Sequence, residues 1–240
     1  SPNGNIPVHA FNLISPTFFA NSSTGNKYSL WVNVYGVSER YLNVYGEKDL
    51  RAQMNQFFHR TYTHPVDGTT LDMKMLCNWY WYDETAILET GKGTKDWNFY
   101  RYAETLLSAA EAIAQSSGVN AEAAGYLAQV KARANMEGKD VSTIASELQR
   151  LGKQAFIEEC WKERLREFPL EMKIWDDCVR TGKFPQISAT NKGEVQFVDL
   201  IGAKNGSGAT FKATDLYWPI PVNEIQRNPN LTQNEGYSAK

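Results

Sequence analysis

The sequence predicts a mainly α protein. A helical middle, residues 96–182, lies between an irregular aromatic stretch, residues 1–95, and a region of loops and tail, residues 183–240. Three observations predict this. Apolar residues from Phe99 to Ala134 recur at steps of three and four, the period of a helix that buries one face. A second such run, Phe156, Ile157, Trp161, Leu165 and Phe168, follows Gly152. In the first seventy residues, by contrast, aromatics are scattered among Asn, Ser and Gly.

Taken in order, the elements have local reasons. Leu50, Met54, Phe57 and Phe58 share one side of a helix predicted near Glu47–Arg60. Pro65-Val66-Asp67-Gly68 reads as a turn. Met75–Tyr82 reads as a short strand with Trp79 and Trp81 on one face and Tyr80 and Tyr82 on the other. Gly91-Lys92-Gly93-Thr94 reads as a loop whose spacing does not match a phosphate-binding fingerprint.

Phe99, Tyr102, Ala103, Leu106, Leu107, Ala110, Ile113 and Ala114 then form a broad helical stripe, stopped by Gly118. Asn120 caps the next helix, whose stripe is Ala123, Ala124, Leu127, Ala128, Val130 and Ala134. Small alanines let the two helices approach closely. The pair has the size of a tetratricopeptide hairpin, a unit that normally stacks on similar pairs. No second clean copy is present, and a lone pair suggests a processed or fragmentary chain. Ser142 is expected to cap a helix running through Arg150, and a further helix spans about Lys153–Phe168. Pro169 ends that helix and suits the start of another, Leu170–Arg180, stopped by Gly182 and Pro185. Residues 183–216 read as loops, and the tail allows a short helical turn at Asn223–Arg227. Trp218, Ile220, Leu231 and Tyr237 are too apolar for a solvated tail, so it is expected to pack back on the helices.

Composition narrows function. A net charge of −2 and a pI near 6.0 argue against a nucleic-acid partner. No apolar run approaches the ~20 residues that span a bilayer. Cys77, Cys160 and Cys178 are too widely spaced for a disulfide scaffold or a zinc site and read as buried thiols. His9, His59 and His64 lack metal-ligand spacing. There is no nucleophile elbow. No catalytic residue, metal or cofactor is expected.

Glu158, Glu159, Glu163, Glu167 and Glu171 invite comparison with the paired carboxylates of glycoside hydrolysis. On one helix, however, Glu163 and Arg166 are neighbours, as are Arg164 and Glu167, and such residues pair with each other. A structural ion-pair network is the expectation. The 7 Trp, 12 Tyr and 11 Phe point instead to stacking on an uncharged polar ligand or to core filling. Sugar rings present C–H faces to aromatic rings and hydroxyls to Asn, Gln, Arg or Asp. Tyr28, Trp31 and Tyr35, at steps of three and four around Asn33, are candidate ligand residues, and so are Trp79 and Trp81. The same rings would also serve to staple the loop onto the helices.

Three blocks occur together: Arg101-Tyr102-Ala103-Glu104 leading into Leu106-Leu107 and Ala110-Glu111-Ala112; Glu163-Arg164-Leu165-Arg166-Glu167-Phe168; and the tail Trp218-Pro219-Ile220-Pro221, Asn228-Pro229-Asn230-Leu231, Gln233-Asn234, Gly236-Tyr237. In this order they resemble the C-terminal half of SusD/RagB-type nutrient-binding lipoproteins. The resemblance covers residues 95–240 well and residues 1–95 by texture only. In that family glycine is common where Met172 stands. The resemblance implies tetratricopeptide-like pairs beside a loop-rich ligand face. It also implies non-catalytic capture of an oligosaccharide, or alternatively a peptide or other nutrient, at the bacterial outer-membrane surface. The implied partners are the glycan, a SusC-like TonB-dependent transporter and the outer membrane, reached through a lipid anchor that these residues do not include.

Overall fold

The structure, a computed structural model, describes residues 37–80, 82–85, 96 and 98–238. It is mainly α, as expected, and divides into two compact units. The first holds the chain up to Glu171 together with Ile187–Val195, and the second holds Met172–Gln186 and the chain from Gln196 on.

The first unit is built on four helices: α1 (Tyr102–Ser117), α2 (Ala121–Ala132), α3 (Val141–Leu148) and α4 (Lys153–Glu167). Leu107, Ala110, Ala114, Ala123, Ala124, Leu127, Ala128 and Phe156 are fully buried in one core with Ile144 and Leu148. The alanine stripes do what small side chains allow and bring α1 and α2 together as a hairpin. Gly118 ends α1 at φ +82°, a conformation that strains other residues. Asn120 caps α2, its side-chain oxygen accepting from the Ala123 amide at 2.9 Å. The cap of α3 is Asp140, not Ser142: Asp140 Oδ1 accepts from the Thr143 amide at 2.7 Å, and Ser142 donates to that same oxygen. A carboxylate at a helix N-terminus gains from the helix dipole as well as from the hydrogen bond.

Preceding the helices is an antiparallel hairpin of β1 (Phe58–Thr63) and β2 (Thr70–Asn78), with Thr63 opposite Thr70 and Phe58 opposite Asn78. The expected turn at Pro65–Gly68 closes it, with Gly68 at φ +73° donating to the His64 carbonyl. The helix expected near residues 47–60 does not form. Only a 3₁₀ turn, Leu50–Ala52, is present, Asn55 is left-handed at φ +63°, and Phe58 starts the strand. The supposed apolar face is split, with Leu50 and Met54 exposed and Phe58 fully buried. Arg51 is bound instead to carboxylates far along the chain, and that tertiary pairing overrides a weak local preference. The strand also ends earlier than expected, because the Asn78 side chain accepts from the Tyr80 amide and turns the chain.

At its C-terminus α4 leaves carbonyls without intrahelical partners. Distant residues supply the donors. Tyr41 bonds the Leu165 carbonyl, Tyr45 the Arg166 carbonyl at 2.9 Å and Arg101 the Glu167 carbonyl at 2.9 Å. Asn78 reaches the Pro169 carbonyl at 3.2 Å. The segment after Pro169 is a turn rather than the start of a helix, because Leu170 (φ +58°) and Met172 (φ +60°) are left-handed.

In the second unit α5 (Ile174–Thr181) ends at left-handed Gly182. A two-stranded sheet of β3 (Lys183–Ile187) and β4 (Val195–Asp199) follows where loops were expected. Pro185 had marked a break, but both strands are edges, where a proline need not donate. Trp175, Phe184 and Phe211 cluster, with ring centroids 5.6 and 5.2 Å from Phe211. The tail contains α6 (Val222–Arg227) and is ordered by hydrogen bonds more than by apolar packing. Trp218 is 89% exposed, so it is not the buried anchor expected. Gln233 instead bonds both the amide and the carbonyl of Ile220, at 2.8 and 2.9 Å. Asn234 bonds the Trp218 carbonyl, and the Tyr237 hydroxyl lies 2.9 Å from the carbonyls of Thr214 and Tyr217.

The left-handed Met172 gives a first prediction. A non-glycine residue in this conformation costs ~1–2 kcal/mol, and Met172 is 66% exposed, so it contributes little burial. Met172→Gly should raise stability by about 1 kcal/mol after the larger unfolded-state entropy of glycine is subtracted. A chemical-denaturation midpoint at or below that of the wild type would show that the turn is not strained.

Candidate functional site

The structure separates a buried charge network from the places open to a ligand. Glu163 is fully buried at the centre of the network, with Arg51 at 2.9 Å, Arg166 at 3.2 Å and Lys131 at 3.6 Å. Burial would raise its carboxyl, but Arg51, Lys131 and Arg166 together hold it well below the usual carboxylate range. Glu159, which bonds Lys131 and Arg166, is lowered for the same reason. Glu167 receives three guanidiniums: Arg51 and Arg101 at 3.0 Å each and Arg133 at 2.6 Å. Arg164 finds Glu104 on α1 at 3.3 Å. Each of these carboxylates faces cations, and Glu159 and Glu163 are lowered, the opposite of the raised pKa a general acid requires.

The aromatic candidates fare differently. Tyr28, Trp31, Tyr35 and Trp81 lie outside the described residues. Trp79 lies just past β2, stacked on His59 at 4.0 Å and 10° and on Tyr82 at 4.5 Å and 16°. Two rings parallel to one indole at these distances cannot share a face, so both faces of Trp79 are covered. Its expected partnership with Trp81 on a strand face is not formed by β2, which has already ended. Tyr62 closes the cluster at 6.0 Å from Trp79. Burial lowers the His59 pKa, so the imidazole in the stack is neutral at pH 7. Cys77, Cys160 and Cys178 are buried, and burial pushes the Cys77 thiol up to about 12 and the Cys178 thiol up to about 11. Among the described residues no His, Cys, Asp and Glu group could hold a metal ion.

Among the described residues, two of the clefts open on the first unit. The larger, about 490 Å³, lies between the residues around Lys48 and the ends of α2 and α3; cations such as Lys139 and carboxylates such as Glu147 line it in equal measure. The smaller, about 300 Å³, is lined by the rings of Phe57 and Tyr80 together with Arg51, Arg101, Arg133 and Glu167, and Arg101 lies over the Tyr80 ring, 5.8 Å from its centroid. The sequence offered no signal for this grouping: Arg51 and Glu167 meet across 116 residues.

Residues 21–237 match the model of the SusD family. The chain belongs to the SusD family. Starch-binding protein SusD of Bacteroides thetaiotaomicron is 36% identical over 138 residues, which cover 58% of this chain and 21% of that protein. A crystal structure of a SusD superfamily protein from Parabacteroides distasonis superposes with a TM-score of 0.74 at 29% identity, over 95% of this chain and 46% of that one. The chain therefore spans less than half the length of either relative. In this SusD-family chain the three sequence blocks acquire physical roles. The first brings Arg101 to Glu167 and Glu171, the second is the charge network, and the third ties the tail to itself.

Proposed function

We propose that this chain is the C-terminal part of a single SusD-like domain, a non-catalytic protein that captures oligosaccharide or polysaccharide at the bacterial cell surface. The match of residues 21–237 to the SusD family carries the reading. The relative named as starch-binding supports a glycan over a peptide. The pairing of every network carboxylate with cations speaks against glycoside hydrolysis. On this reading the glycan passes to a SusC-like TonB-dependent transporter, and a lipid anchor holds the protein at the outer membrane. Affinity electrophoresis through a panel of embedded polysaccharides tests the capture step. Retardation by at least one glycan, without release of reducing sugar, is the expected result. Uniform mobility would refute it.

The ligand face is assigned to Tyr28, Trp31 and Tyr35, with Trp79 and Trp81 as secondary candidates. One aromatic platform contributes ~1–3 kcal/mol, by analogy with base stacking. Trp31→Ala should therefore weaken glycan binding about tenfold and leave the melting temperature unchanged. A variant that melts early but binds normally when folded would move Trp31 to the structural role.

A further inference from the structure

The smaller cleft holds a cation that the charge network does not need. Two of the three guanidiniums on Glu167 have carboxylates of their own. Asp49 grips Arg51 through Nε and Nη2 at 2.9 and 2.7 Å, and Glu171 grips Arg101 through Nε and Nη2 at 2.8 Å each. Arg133 has only a share of Glu167 Oε1, the oxygen that Arg101 also uses. Its side chain is 59% exposed, and among the described residues its Nε and Nη1 have no acceptor. Of the three guanidiniums, Arg133 is therefore the one that brings unused donors to the cleft lining. Beside it stand the rings of Phe57 and Tyr80, with the Gln56 amide also on the lining. At about 300 Å³ the space is at the lower end of the range for small-ligand sites and suits one sugar unit.

We propose that this cleft binds an acidic sugar unit, a uronic acid within a glycan, with its ring against Phe57 and Tyr80 and its carboxylate on Arg133. A planar guanidinium with two donors to spare matches a carboxylate. The proposal rests on the glycan-capture reading and adds a charge preference, at a place separate from Tyr28, Trp31 and Tyr35.

Calorimetric titration of the 240-residue chain with cellobiouronic acid and with cellobiose tests it. These disaccharides differ in one carboxylate. The acidic one should bind about tenfold tighter, as a charge-assisted pair allows. That advantage should shrink between ~0.05 and ~0.5 M NaCl. Arg133→Gln should abolish the advantage, and Arg133→Lys should keep part of it. Both variants should melt as the wild type does, since Glu167 keeps Arg51 and Arg101. Equal binding of the two disaccharides, or an advantage that survives Arg133→Gln, overturns the proposal. If polysaccharides retard the protein in gels while the acid shows no advantage, only this inference falls. If no glycan binds at all, the capture reading falls with it.

Discussion

Glu163→Gln is expected to destabilise the protein by ~3–5 kcal/mol, the cost of breaking a buried ion pair from one side. The substitution keeps shape and volume, so no cavity term enters. It leaves Arg51 and Arg166, both more than nine-tenths buried, facing a neutral amide at the position of the carboxylate. For a chain of this length the melting temperature should fall by roughly 10 °C, at ~2–4 °C per kcal/mol. The pH dependence follows from the depressed carboxyl. Above pH ~5 Glu163 is ionised in both the folded and the unfolded chain, and its pairing contributes fully. As pH falls through the unfolded value near 4.3, the unfolded chain takes up a proton that the folded one refuses, so stability drops. Glu159 acts in the same direction. Wild-type stability should therefore decline more steeply from pH ~5 down to pH ~3 than that of Glu163→Gln. Parallel declines, or a variant melting within ~2 °C of wild type, would show that the network holds little of the fold.

Gly236→Ala is expected to release the tail. Gly236 sits at φ +85°, and a Cβ there would collide with Thr214 Cγ2 and lie 3.3 Å from Thr214 Cβ. The left-handed conformation alone costs ~1–2 kcal/mol. The threonine is β-branched and has little rotamer freedom with which to yield. Because Gln233, Asn234 and Tyr237 are anchored around the same turn, the change should free residues 214–237 together. Amide exchange of this stretch should accelerate, and limited proteolysis should trim it, while α1 to α4 keep their protection. Unchanged exchange at Ile220 and Tyr237 would show that the tail is held by something other than these bonds.

How much was legible follows the range of the interactions involved. The α1–α2 hairpin could be read because its cause is local: a repeating alanine and leucine stripe, a left-handed glycine and an asparagine cap lie within 33 consecutive residues, Tyr102–Ala134. The helix expected near residues 47–60 failed because Arg51 answers to Glu163 and Glu167, and no window centred on residue 51 contains them. The β3–β4 pair was missed because an edge strand tolerates the proline, Pro185, that elsewhere signals a loop. The aromatic candidates were selected by residue type, yet ring availability depends on neighbours. Trp79 had the right chemistry for a platform and is covered on both faces by His59 and Tyr82.

By itself the sequence determined the helical class, the capped hairpin, the turn at Pro65–Gly68 and the three blocks by which the family is recognised. These depend on dihedral preference, period and side chains a few residues apart. Tertiary structure alone decided which carbonyls of α4 are met by Tyr41, Tyr45 and Arg101, that Asn78 meets the carbonyl of Pro169 just beyond it, and how three arginines converge on Glu167 beside an aromatic cleft. The turn after Pro169 belongs with them. Its left-handed residues, Leu170 at φ +58° and Met172 at φ +60°, carry no local sequence signal. The physical reason is shared. A buried donor or charge must be satisfied wherever a partner can be found, and folding brings that partner from a part of the chain that local pattern does not reach.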